Sequence, residues 1–181
     1  MSRPPRARDT VLDAYERILV EDGARGATLD ATARAAGVSK GGLLYHYASK
    51  DALQNAVVER LRALVEADIA TIESAPEGAV AYFVRSSVME DDELDRAIVA
   101  TSRLAQSGHS GATAALVEMR EAWESVLRPH VRDAAALDLV MLVSDGLYFN
   151  NALGGDTPLT AVPQGAALDA LVELVVGIAA E

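Results

Sequence analysis

The sequence predicts an all-α protein, and three observations predict it. Half of the 181 residues are apolar while aromatics are 4%, and Ala, Leu and Val dominate, a composition that packs aliphatic helices better than sheets. Apolar residues recur at three- and four-residue spacing along most of the chain, the helical period. Between these stretches lie clusters of Gly, Pro and short polar residues, which interrupt helices.

Taken in order, the first helix has Val11, Leu12, Tyr15, Ile18 and Leu19 on one stripe, a capping-box pattern from Thr10 to Asp13 at its start, and Gly23 as its end. Thr28 is placed to cap a short second helix, Leu29 to Ala36, with Asp30 in the first turn where the helix dipole favours an anion. Gly37 ends it, and Ser39 caps a third helix in which Leu43 and Tyr47 share a face. Ser49 caps a fourth, about Lys50 to Ser74, with Leu53, Val57, Leu61, Leu64, Val65 and Ile72 on one side and Pro76 beyond its end. Five more follow, at about 77–89, 90–107, 112–128, 133–153 and 164–180, which makes about nine helices. The acidic run from Glu90 to Glu93 reads as a dipole-favoured helix start rather than a cation site.

The last two helices are apolar nearly all round, for example Leu137, Val140, Met141, Leu142 and Leu147 in one and Leu168, Leu171, Val172, Leu174, Val175 and Ile178 in the other. So wide a stripe needs two partners. Either one helix is central in a monomeric bundle, or a second copy of the chain covers the outer side.

Net charge is -11, which at first opposes a nucleic-acid partner, since DNA affinity rests on neutralising phosphates. Its distribution is uneven: residues 1–60 hold 9 Lys/Arg against 8 Asp/Glu, and residues 61–181 hold 7 against 19. A near-neutral head on an acidic body is compatible with DNA binding by the head. The absence of Cys excludes disulfides, thiolate metal sites and a cysteine nucleophile. No signal-peptide core follows the basic residues Arg3, Arg6 and Arg8, which form either a tail or a minor-groove arm, and the most apolar run, 166–180, is interrupted by Asp169 and Glu173. A soluble cytoplasmic protein is expected, with no membrane partner.

The segment from Thr28 to Leu53 has the logic of a helix-turn-helix: a short helix, a Gly turn, the apolar Val38 and a Ser cap, which sets the next helix across the first. With Leu43 and Tyr47 inward, Gly41, Gly42 and Tyr45 point outward, Leu44 lies at the flank and Lys40 near the start. Each glycine weakens the helix by about 1 kcal/mol relative to Ala. That cost is compensated if duplex DNA approaches closely there.

From Thr10 to Leu53 the sequence resembles the DNA-binding domain of TetR-type regulators. The shared pattern is a Thr opening helix 2, Ala-x-x-Ala-Gly-Val-Ser-x-Gly across the turn, then Leu, an aromatic, His, an aromatic, and Ser-Lys-x-x-Leu, and 33–53 supplies most of it without a gap. The resemblance implies that 39–47 is a recognition helix entering the major groove of a palindromic operator. It implies contacts from Thr28, Tyr45, His46 and Lys50, mainly to phosphate, with Lys40, Gly42 and Tyr45 near base edges. The candidate set is therefore Thr28, Ser39, Lys40, Gly41, Gly42, Leu44, Tyr45, His46, Tyr47 and Lys50. Within it, Tyr47 also reads as core, His46 as a cap, and the lysines as ordinary solvated cations. Leu44 stands where many members have Tyr, and Ala48 where many have Pro.

The same resemblance implies a division at residue 50: a helix-turn-helix DNA-binding domain, 1–50, and a helical effector-binding and dimerisation domain, 51–181, pairing through the last two helices into a homodimer. It implies a repressor released by a small-molecule effector. Candidate pocket residues are Tyr82, Phe83, Met89, Met119, Trp123, Met141, Tyr148 and Phe149, wide and adaptable side chains that serve equally as core. Enzyme chemistry finds no support. His46, His109 and His130 are far apart without metal-ligand spacing, no phosphate-binding Gly-rich loop occurs, and no cofactor or metal is expected. The alternatives are a module with the same fold that binds ligand or protein without an operator, and a helical-bundle enzyme.

Overall fold

A computed structural model describes residues 5–88, 91–154 and 162–180, without the side chains of residues 5, 6 and 151–154. Among the described residues there are nine α-helices and no strand: α1 (Pro5–Gly26), α2 (Leu29–Ala35), α3 (Lys40–His46), α4 (Lys50–Ser74), α5 (Ala79–Ser86), α6 (Glu93–Gln106), α7 (Ser110–Leu127), α8 (Ala134–Gly154) and α9 (Ala166–Ala180). A single 3-10 turn, Arg128–His130, containing Pro129, follows α7. The chain forms two compact units, one comprising residues up to 64 together with 91–118, the other 65–90 together with 119–181.

In the first unit α1 begins at Pro5, so the Thr10 to Asp13 pattern lies inside the helix and is not its cap. Proline is well suited to a first turn, where its missing N–H has no helical acceptor to satisfy, and Arg and Ala are strong helix formers. Arg8, read from the sequence as part of a tail or arm, is in α1, while Arg3 and the side chain of Arg6 lie outside the described residues. Gly23 breaks the helical path with φ 70°, and residues 24–26 resume it. The stripe of Val11, Leu12, Tyr15, Ile18 and Leu19 is buried, as are Leu53, Val57 and Leu61 of α4. α6 packs against α1 through Ala97, Ile98, Ala100, Thr101 and Leu104, all buried. Its start is three residues later than the acidic run indicates: Asp92 is the N-cap, and a capping box with Asp95 fixes it.

The second unit has one core, in which Ile72, Phe83, Val84, Leu127, Leu137, Val140, Met141, Leu147, Leu168, Val172 and Val175 are buried. α5 and α8 both pack on α9. The C-terminus of α9 is tied to the turn before α8, where the Arg132 backbone N–H donates to Ala179 O (2.9 Å) and its Nη1 to Ile178 O (2.7 Å). These bonds satisfy carbonyls that a helix end leaves without partners.

Candidate nucleic-acid interface

The turn between α2 and α3 is built by backbone chemistry. Gly37 takes φ 67°, a region costly for residues with a Cβ, and the chain closes a Schellman motif there: Val38 N donates to Ala33 O (2.9 Å) and Gly37 N to Arg34 O (3.2 Å). Both helices begin on the expected caps. Ala31 N donates to Thr28 Oγ1 (3.1 Å) and Gly42 N to Ser39 Oγ (3.0 Å). Leu43 and Tyr47 then fall into the core of the unit, at 0% and 3% exposure.

Burial of that pair turns the rest of α3 outward. Tyr45 is 85% exposed and Leu44 38%, Gly41 is open, and His46 is half-buried with its ring edge-on to Tyr45 (centroids 5.2 Å apart). A Cβ added at Gly41 would meet nothing nearer than Ser39 Oγ at 4.0 Å, so packing within the chain does not require glycine there. Lys40 is exposed and reaches both oxygens of the Asp30 carboxylate at 3.1 Å. Thr28 is exposed beside the start of α3; its hydroxyl oxygen accepts the cap bond, which leaves its proton as a donor. Lys50 is half-buried, and its Nζ donates to Ala24 O (3.1 Å), a carbonyl presented just after the break at Gly23.

Tyr47 is held from behind. Its hydroxyl donates to Arg8 O (3.4 Å), and the Arg8 guanidinium lies 5.4 Å from the ring centre. Burial raises its phenol above the usual value against the opposing pull of Arg8. Arg8's part in seating α3 was not visible in the sequence, because no periodicity links residues so far apart.

The pocket candidates separate in the second unit. Phe83 and Met141 are core, Tyr82, Met119, Trp123 and Tyr148 are half-buried, Phe149 is 60% exposed, and Met89 lies outside the described residues. Phe83 meets Trp123 edge-on (5.5 Å). Asp68, absent from the sequence reading, joins two of them: Trp123 Nε1 donates to one carboxylate oxygen (2.8 Å) and the Tyr82 hydroxyl to the other (3.3 Å). The available signal was an acid one turn beyond Leu64 on the apolar side of α4. A cavity of about 190 Å³ lies against α8 and α9, lined by Leu142, Val143, Leu147, Asn150, Val162 and Leu171 among others, and none of the eight candidates lines it. Among the described residues no group of three or more acidic or histidine side chains could hold a metal, and no helix is long and apolar enough to cross a membrane.

Residues 11–57 match the family model described as bacterial regulatory proteins, tetR family. No curated protein matches the chain. Solved structures resemble it over nearly their whole length: the ketosteroid transcriptional regulator KstR2 of Mycobacterium tuberculosis (17% identity, TM-score 0.65, 100% of this chain and 97% of that one); NalD, the secondary repressor of the MexAB-OprM multidrug efflux pump in Pseudomonas aeruginosa (19%, 0.65, 97% and 96%); and the multidrug binding protein EbrR complexed with malachite green (20%, 0.66, 98% and 100%). At these identities the likeness is one of fold. Residues 11–57 are thus similar to the DNA-binding segment of tetR-family regulatory proteins, and the chain as a whole shares the fold of these solved regulators.

Proposed function

We propose that the protein is a transcriptional repressor that binds a palindromic DNA operator in the cytoplasm as a homodimer and is released by a small-molecule effector. The observation that carries this reading is the outward face of α3, where an 85% exposed tyrosine stands on a helix whose opposite side is fully buried. An aromatic so exposed gains little in the isolated chain and much against a groove. Residues 1–50 are the reading head and 51–181 the effector and dimerisation part.

Dimerisation is assigned to α8 and α9. Their inner sides are buried within the chain, yet Leu142 (65% exposed), Phe149 (60%), Leu174 (59%) and Ile178 (38%) face outward. Leu142 and Phe149 are seven apart on α8, and Leu174 and Ile178 four apart on α9, so each pair forms a stripe. A second copy covers both and sets the spacing of the two α3 helices, which gives the operator its two-fold symmetry. The effector is small and mostly apolar, bound in the second unit near Trp123, Tyr82 and Phe83. Support comes from the side chains themselves and from proteins of like fold described as a multidrug binding protein and a ketosteroid transcriptional regulator.

Selection of bound sequences from random duplex DNA tests the reading. Enrichment of a palindrome is expected, and recovery of no duplex above background contradicts it. Since Trp123 is the only tryptophan, its fluorescence reports effector binding. A true effector shifts that emission and releases the operator over one concentration range, because coupling between the two sites is reciprocal. A compound that shifts the emission and leaves operator affinity unchanged is not the effector.

A further inference from the structure

Apart from Lys40, α3 carries none of the side chains that make paired hydrogen bonds to base edges. Its sequence, Lys40 to His46, contains no Arg, Asn, Gln, Asp or Glu. The strongest donors and acceptors for direct readout in the major groove are those types, each matched to a particular pattern on G, A or C. Lys40 is the one full cation on the helix, and its ammonium is engaged by Asp30 at 3.1 Å. The outward surface otherwise consists of Gly41, Gly42, Leu44 and Tyr45.

That surface is apolar and shaped. In a helix the side chain of Tyr45 leans towards the N-terminus, over the turn that holds Gly41. Nothing stands on that turn, since residues 41 and 42 have no side chains and a Cβ at 41 would touch nothing of the protein. Leu44 adds a branched aliphatic group beside it, 38% exposed. The result is a bare strip of backbone flanked by two large apolar groups. The one apolar feature of base edges in the major groove is the thymine C5-methyl group.

Resting on the DNA-binding reading above, we propose that α3 recognises its half-site through thymine methyl groups, packed against Leu44 and the ring of Tyr45 over the Gly41–Gly42 strip. Base hydrogen bonds from α3 side chains are the lesser part. The specificity-determining residues are Leu44 and Tyr45, and the operator half-site contains thymine at the positions that face them.

The test uses the full-length protein and the duplex obtained by selection. Each thymine is replaced singly by deoxyuridine, which removes the methyl and keeps every hydrogen-bonding atom. At the positions that α3 reads, affinity falls roughly fourfold per methyl, the transfer value of one buried group of that size. The same replacements are repeated with Leu44→Ala and Tyr45→Ala, both exposed positions where the fold is expected to survive, and circular dichroism checks that it does. At each read thymine the deoxyuridine penalty disappears in one of the two variants. A selected duplex whose affinity is insensitive to deoxyuridine everywhere, or a penalty that persists undiminished in both variants, overturns this inference and leaves the DNA-binding reading standing. Failure to select any duplex overturns both.

Discussion

Glu16 shows how burial and pairing compete at a single residue. Its side chain is 6% exposed, and its carboxylate accepts from Arg60 Nη1 at 2.9 Å, while Arg60 Nη2 lies 2.8 Å from Asp13. Burial raises its pKa, and the Arg60 charge pulls the other way without winning. A carboxyl whose folded pKa exceeds its unfolded one adds stability at low pH, and that contribution fades as pH climbs from the unfolded value of about 4.3 through the raised folded one. Glu16→Gln keeps an acceptor for Arg60 and removes the titration. The wild type should therefore lose stability relative to Glu16→Gln as pH rises from the unfolded value through the raised folded one, measured by urea unfolding of both. A difference that is flat or of opposite sign counts against the account. Glu16→Ala leaves the guanidinium with less to bond and should cost about 1 to 3 kcal/mol at neutral pH.

At the scale of elements, α3 makes a second measurable case. Gly41 has helical geometry and open space around its Cβ position, so Gly41→Ala should stabilise the free protein by up to about 1 kcal/mol. The same change puts a methyl on the strip assigned to DNA and should weaken operator binding. Gly37→Ala is the contrast, since φ 67° makes it destabilising irrespective of DNA. Thermal melts and operator titrations of the two variants separate these roles. A Gly41→Ala protein that is no more stable and binds DNA unchanged removes the argument for the strip.

The helix-turn-helix was legible almost residue by residue, because its helices are short, each begins on a hydroxyl cap and the Gly37 turn has one geometry. The start of α1 was not: Thr10 and Asp13 fit a capping box, and nothing local says that Pro5 initiates first. For α9 the sequence indicates two covered sides and offers Val175 and Leu171 as outward positions, which the fold overturns at Val175, since Val175 and Leu174 are adjacent and equally apolar and no pattern ranks them. The fold resolves them, with Val175 3% exposed and Leu174 59%. Leu174→Glu should then give a folded monomer that has lost operator binding, seen by light scattering and gel shift. Val175→Glu should damage the fold itself. A Leu174→Glu protein that stays dimeric would falsify the assignment of the interface. The packing of α6 on α1 was also illegible, because an amphipathic face does not name its partner.

For the whole molecule, charge and coupling set the behaviour. Residues 61–181 carry 19 acids against 7 bases, so on the DNA-binding reading proposed above the excess negative charge of that part disfavours its approach to phosphate. α6, from the middle of the chain, packs on α1 in the unit that holds α3. The central claim is that an exposed α3 reads a duplex. It is tested most directly by titrating the selected operator with the wild type and Tyr45→Ala across a range of salt concentrations. The account predicts affinity that falls linearly with salt on logarithmic axes, and a loss of about 1 to 3 kcal/mol in the variant with the same slope, the result expected of a base contact rather than a phosphate contact. Equal operator affinity for a folded Tyr45→Ala protein and the wild type would contradict it.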